Sequence, residues 1–139
     1  MLRGEAQHLR EAFNEAFWNP QEGTFALALD GRKRQVASVT SNPGHCLYCG
    51  IVDPAKADAV ANRLFAPDMF SGWGVRTLSS SCPAYNPMSY HNGSVWPHDN
   101  AIIAAGLKRY GHDDAVRRIA DALFDVATTA ERSDRSKPQ

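Results

Sequence analysis

Leu2, Ala6, Leu9, Phe13, Ala16 and Phe17 recur at spacings of four and three, the apolar stripe of one helix, with Glu5, Arg10, Glu11 and Glu15 on its other faces. Asn19, Pro20 and Gly23 end it. From Thr24 the period shifts to two: Phe25, Leu27 and Leu29 alternate with Thr24, Ala26 and Ala28, and Asp30-Gly31 signals a turn. Gln35 to Thr40, carrying Val36 and Val39, is the expected return strand, so a small β-hairpin is predicted near residues 24–40. The basic triplet Arg32, Lys33 and Arg34 then forms a solvated hairpin tip.

Pro43 to Ile51 is short, apolar and nearly chargeless, as a segment buried on several sides should be. Asp53-Pro54 supplies an N-cap carboxylate and a first-turn proline, and Ala57, Val60, Ala61, Leu64 and Phe65 form the stripe of the helix that follows. Residues 68–96 are rich in turn chemistry yet hold Trp73, Tyr85, Tyr90 and Trp96; a loop this long and aromatic is usually functional. Pro97 opens a helix apolar nearly all round through Ala101, Ile102, Ile103, Ala104, Ala105 and Leu107, which requires burial on most faces. Beyond Gly111, Asp113 and Asp114 start a helix with a one-sided stripe of Val116, Ile119, Ala120, Leu123 and Phe124.

Val52–Phe65 aligns without gaps on Gly111–Phe124, pairing Ala61 with Ala120, Leu64 with Leu123 and Phe65 with Phe124. A nearly all-apolar helix, a short turn and a one-sided helix therefore occur twice, the pattern of a helical array with inner and outer layers. Neither end completes that alternation, so the chain reads as a slice of a larger array. A partial domain is expected over residues 1–130, followed by a polar, disordered ending at 131–139.

The 139 residues and 15.2 kDa limit the chain to one ordinary domain, and 43% hydrophobic with 22% charged residues is a soluble globular composition. Fifteen basic residues against fifteen acidic ones leave no net charge, which removes the long-range attraction that nucleic-acid binding needs. The longest apolar stretch, Ala101–Leu107, is too short to cross a membrane. Three cysteines and no recognisable leader suit a cytoplasmic location.

Chemistry concentrates in Asn86 to Asn100, where amides, imidazoles, hydroxyls, a carboxylate and aromatic rings meet the start of the apolar helix. Sugar recognition needs this mixture: rings pack on the apolar side of a pyranose while amides and carboxylates take its hydroxyls. Each residue also has a plainer role. Asp99, in the first helical turn, can simply favour the helix dipole, bind a ligand or act in catalysis. His98 is a pocket residue or a helix-start donor, Asn92-Gly93 is first a turn, and Trp96 is a core anchor or a sugar platform. Trp73 and Arg76, in Ser71-Gly72-Trp73-Gly74-Val75-Arg76, are balanced between pocket and packing. Cys46-x-x-Cys49 beside His45 lacks the second pair of a zinc site, so no metal is expected. Gly72-x-Gly74 lacks a dinucleotide setting, and Ser79-Ser80-Ser81 lacks a nucleophile elbow.

Ser41-Asn42-Pro43-Gly44-His45, Asp68 through Ser79 and Tyr85 through Asn100 together resemble bacterial glycogen-debranching-type amylo-α-1,6-glucosidases and the related mannosylglycerate-hydrolase-like glycoside hydrolases. These are six-hairpin glycosidases, and the resemblance covers roughly residues 8–127. It implies a mainly α fold, a partial (α/α)6 toroid of helical hairpins carrying the small β-hairpin near 24–40. It also implies inverting hydrolysis of α-glucosidic bonds in an α-glucan or other oligosaccharide, without metal or organic cofactor. Inversion needs a general acid and a water-activating carboxylate ~6.5–9.5 Å apart. The hairpins expected to bear them find no counterpart in this sequence, so no catalytic residue is assigned. Trp73, Arg76, Tyr90, His91, Asn92, Trp96, His98 and Asp99 are assigned to substrate binding. About half the toroid's helices would be missing, so exposed apolar faces, self-association and catalytic silence are expected of the isolated chain. The alternative is a non-catalytic helical repeat, an interaction module or gene remnant, whose aromatic loop only packs.

Overall fold

The computed structural model describes residues 2–135, with side chains described as far as Thr129. Its elements run α1 (Leu2–Ala16), β1 (Trp18–Asn19), β2 (Thr24–Phe25), α2 (Asn42–Cys49), α3 (Pro54–Leu64), α4 (Pro97–Arg109) and α5 (Asp113–Arg135). The mainly α architecture is as expected. The expected polar ending falls partly in α5, which runs on to Arg135; its side chains from 130 and residues 136–139 lie outside the described residues.

The centre is the contact between α2 and α4. A Cβ on Gly106 would lie 2.6 Å from both the Gly44 carbonyl oxygen and the Tyr48 amide nitrogen, and one on Gly44 would lie 2.5 Å from Ile103 Cγ1. The two helices therefore meet backbone against backbone, closer than any side chain permits. Leu47, Ile103 and Leu107 are fully buried around this crossing, joined by Val52, Val60, Leu64, Met69, Val75 and Ile119. α3 packs on α2 and α5 packs on α4, which gives the alternation of inner and outer helices.

Capping follows the sequence. The Asp53 carboxylate accepts from the Ala55 amide at 3.0 Å, and Gly50 closes α2 by donating to the carbonyls of Cys46 and Leu47. Buried Asn14 ties α1 to the α2–α3 turn: its amide donates to Ile51 O at 2.8 Å and its carbonyl accepts from Asp53 N at 2.9 Å.

Two expectations change. The two-strand ribbon forms one step earlier than predicted, with Trp18 opposite Phe25 and Asn19 opposite Thr24. Asn19 Oδ1 accepts from the amides of Gln21 and Glu22, so Asn19 to Gly23 is a hairpin turn rather than a mere helix stop. The predicted hairpin at 24–40 shrinks to one bridge, Leu29 with Gln35, closed by Asp30, which accepts from the amides of Arg32 and Arg34. The apolar stripe of α1 is also uncovered at its start: Leu2 is 81% and Leu9 62% exposed, while only Phe13 and Phe17 reach the core, Phe13 stacking on both Phe17 and Phe25. α4 is likewise open along Ala101 and Ala105. The total surface, 8926 Å², exceeds the roughly 7,000 Å² of a compact chain of this mass.

The segment after α3 is pinned by Asp68, which receives Arg63 through two 2.8 Å bonds and the Ser79 hydroxyl. The guanidinium, aided by Ser79, holds the Asp68 carboxyl at about 2, below the usual carboxylate range. A folded value below the unfolded one stabilises fully above about pH 4 and is lost as pH falls toward about 2. Asp68→Asn is expected to flatten the acid limb of a stability-against-pH curve between those values and to cost about 1–2 kcal/mol at neutral pH, read by urea unfolding. By the same measurement Gly106→Ala is expected to destabilise by about 1–3 kcal/mol despite better helix propensity. Gly4→Ala on α1, with nothing within 4 Å, should instead gain about 0.5–1 kcal/mol.

Candidate functional site

The stretch 68–96 is not a free loop. Phe70 bridges Val75, Arg76 bridges Val95 and Leu78 bridges Thr40, so segments near 39–41, 75–79 and 94–95 lie side by side. Thr77 N donates to Ser94 O, and Ser79 N to Val39 O, both at 2.9 Å. Asn100, fully buried in α4, fastens this layer to the helix. Its carbonyl accepts from Val75 N at 2.7 Å, and its amide donates to Val75 O and Trp96 O at 3.0 Å each. Gly74 is required beside it: its φ is 140°, and a Cβ there would lie 2.9 Å from Asn100 Oδ1.

Above this layer the N-terminal ends of α2 and α4 border a cleft of about 400 Å³. Its lining includes His91, Asn92, Trp96, His98 and Asp99 from the predicted set, with Thr40, Ser41, Asn42, His45 and Thr77 added. Asp99 is 7% exposed. Its Oδ1 lies 2.5 Å from His45 Nε2, which donates to it, while its Oδ2 is buried and accepts no hydrogen bond among the described residues. Thr40, 5% exposed, likewise has a buried hydroxyl without a partner there.

Trp96 gathers three rings around it: Tyr90 at 4.2 Å, His98 at 4.9 Å and His91 at 5.4 Å between centroids. Its indole N–H is held by Ser94 Oγ at 2.9 Å. Tyr90 is not part of the lining; it stands 70% exposed beside Trp96. Trp73 and Arg76 are not brought into the cleft. Trp73 is half-exposed in the Ser71–Gly74 turn, and the Arg76 guanidinium lies 5.6 Å over the Tyr85 ring. Asp99 is the one carboxylate in the described lining, and no Lys or Arg joins it.

Two other groups have structural duties. Ser79 is buried and donates to Asp68. Burial, with Cys49 nearby, pushes the Cys46 thiol up to about 11, so it stays protonated. Among the described residues no three His, Cys, Asp or Glu side chains converge as a metal site. No described helix is long and apolar enough to cross a membrane.

Residues 1–135 match the family described as mannosylglycerate hydrolase MGH1-like glycoside hydrolase domain. The chain belongs to this family. It is 28% identical over 127 residues to the mannosylglycerate hydrolase of Rubrobacter radiotolerans, covering 88% of this chain and 28% of that protein. Crystal structures of the GH63 mannosylglycerate hydrolase from Thermus thermophilus share the fold. The complex with glucose superposes with a TM-score of 0.66 at 21% identity, over 83% of this chain and 29% of that one. The complex with Tris and D-glycerate gives 0.63 at 23%, over 78% and 26%. The chain thus spans under a third of the relatives it matches. These relatives support a glycoside hydrolase domain; they lend nothing to the glycogen-debranching branch of the resemblance, being named as mannosylglycerate hydrolases.

His45, Thr40 and Thr77 escaped sequence reasoning as site residues. His45 sat in a quoted motif, but only the Gly44–Gly106 crossing shows that it meets a residue 54 positions away.

Asn100→Asp keeps the acceptor for Val75 N–H and removes both donors. It is expected to cost about 2–3 kcal/mol and to speed amide exchange at Val75, read by hydrogen exchange with mass spectrometry.

Proposed function

We propose that this chain is a sugar-gripping wall of a glycoside hydrolase of the mannosylglycerate hydrolase type, with the general acid and general base lying outside these residues. The observation that carries the reading is Asp99: a carboxylate in a cleft, nine-tenths buried, with one oxygen tied to His45 and the other uncommitted. A buried polar oxygen left without a partner is costly, so such a site favours a ligand that supplies a donor. The neighbouring imidazoles, amides and Trp96 give the mixed polar and aromatic lining that a pyranose needs. One lining carboxylate cannot serve as both acid and base of an inverting pair, which supports a binding rather than a hydrolytic role for this chain alone. The relatives' names favour a mannosyl glycoside of a small polar aglycone over an α-glucan branch point. Leu2, Leu9 and Phe124, all strongly exposed, support self-association of the isolated chain, and three unpaired thiols support a reducing, cytoplasmic setting.

Titration of the 139-residue chain with mannosylglycerate, followed by tryptophan fluorescence, is expected to give a saturable change that Asp99→Asn weakens about tenfold. Tighter binding of maltotriose would return the reading to debranching. No response to either sugar in a folded sample would overturn it in favour of a non-catalytic helical module.

A further inference from the structure

Cys46 and Cys49 take no part in the cleft, yet they stand three residues apart on the last turn of α2 with both thiols free. Helical residues at this spacing are neighbours, with Cβ atoms about 5–6 Å apart. A disulfide needs Cα atoms about 4.4–6.8 Å apart and Cβ atoms about 3.5–4.5 Å apart. One helical turn meets the first requirement and falls short of the second by about 1–2 Å. The way α2 ends narrows that gap. Ile51 N donates to Cys46 O at 3.3 Å and Gly50 N to Leu47 O at 3.0 Å, the paired bonds of a Schellman close. The second spans only three residues, a bond that tightens a last turn toward 3₁₀ geometry, in which side chains three apart eclipse. Gly50, at φ 74°, then turns the chain out of the helix, so no following turn opposes the tightening.

The two thiols differ in access. Cys49 is exposed, whereas Cys46 packs against the core, where burial and then Cys49 hold its thiol at about 11. A reagent in solvent therefore meets Cys49 first, and Cys46 waits one turn behind it. The charged and titratable groups gathered at this turn are Arg109 on Tyr48 O, Arg10 and Tyr110 on Val52 O, and Asp53. None of them is a thiol, so the neighbour able to complete an exchange begun at Cys49 is Cys46.

We propose that Cys46 and Cys49 form a thiol-modification site for small-molecule disulfides, in which Cys49 makes the attack and Cys46 closes an intrahelical disulfide. The Cys49 thiolate attacks one sulfur of RSSR, forming Cys49–S–S–R and releasing RS⁻. Cys46 then loses its proton to solvent and attacks the Cys49 sulfur, forming the Cys46–Cys49 bond and releasing the second RS⁻. The two protein thiols are oxidised by two electrons, and the small disulfide is reduced to two thiols. The site is independent of the carbohydrate reading.

The test uses the full chain carrying Cys82→Ser, reduced and dilute, with glutathione disulfide as the probe and acid-quenched intact-protein mass spectrometry as the readout. The expected course is a gain of one glutathione, followed by a product two hydrogens lighter than the reduced chain. Trypsin cleaves after Arg34 and Lys56, so that loss should fall in the single peptide 35–56. The closing step should speed up about tenfold per pH unit between about pH 7 and 9, following the thiolate fraction of Cys46. Cys46→Ala should stop at the mixed disulfide, and Cys49→Ser should react at least about tenfold more slowly than its parent. Circular dichroism checks that each variant is folded; should Cys46→Ala unfold, the mass loss in peptide 35–56 of the parent decides. A mixed disulfide that never closes, dimers linked between chains as the sole product, or equal reactivity of Cys49→Ser and its parent would each overturn the proposal.

Discussion

The site exists because two helices touch at their backbones. Gly106 presses against Gly44 O and Tyr48 N, and this places α2 and α4 so that His45 of one and Asp99 of the other come within 2.5 Å. A larger residue at Gly106 would press on that backbone and force the helices apart, and the separation would appear at the mouth of the cleft. Interior packing tolerates little such expansion, because rigid backbone offers no rotamer to rearrange. A constraint that looks purely structural therefore sets the geometry of a polar pair, which commits one Asp99 oxygen and leaves the other without a hydrogen bond among the described residues.

The second fastening ties a layer of bridged segments to the same helix. Asn100 satisfies both backbone groups of Val75 and the carbonyl of Trp96, so a segment with little regular structure is held as firmly as a strand. A single buried amide can do this because it offers two donors and one acceptor in a plane, the pattern of a peptide group. The layer containing Thr77 and Leu78, and through it Thr40, is thereby registered against the same helix that carries Asp99. Cleft floor and cleft wall share one anchor, which explains how residues from four stretches of chain keep a defined relation.

Legibility in the sequence followed the range of the interaction. The helices announced themselves through local signals: Asp53-Pro54 as cap and first turn, Pro97 as opener, the stripe around Ala61 and Leu64. Five of the candidate residues, His91, Asn92, Trp96, His98 and Asp99, line one cleft, and they were legible together because they are neighbours along the chain and rich in chemistry. Tyr90 reached only the flank of Trp96, and Trp73 and Arg76 lie elsewhere, since a motif's proximity in sequence does not say which way a turn faces. His45 was missed because its meaning depends on a partner 54 residues away, and Thr40 because it reaches the cleft only through its bridge to Leu78, 38 residues on. The ribbon was displaced for a local reason: Asn19 caps its own turn, a signal easily read as the end of a helix.

The exposed faces complete the physical picture. α1 shows Leu2 and Leu9 to solvent, α4 shows Ala101 and Ala105, and α5 shows Phe124 at 74%. Random surface leucines would need no explanation, but these lie on amphipathic stripes that are covered only in part, with Phe13 and Phe17 of α1 and Ile119 of α5 reaching the core. In the relatives this segment accounts for less than a third of the chain, and the unmatched length is ample to supply helices against such faces. The polar cleft, by contrast, is assembled entirely from residues present here. The polar lining and the closure of the apolar shell are thus separable in this architecture: the lining is drawn from the starts of α2 and α4 and from the segments bridged beside them, and the shell depends on surfaces that α1 and α5 offer outward.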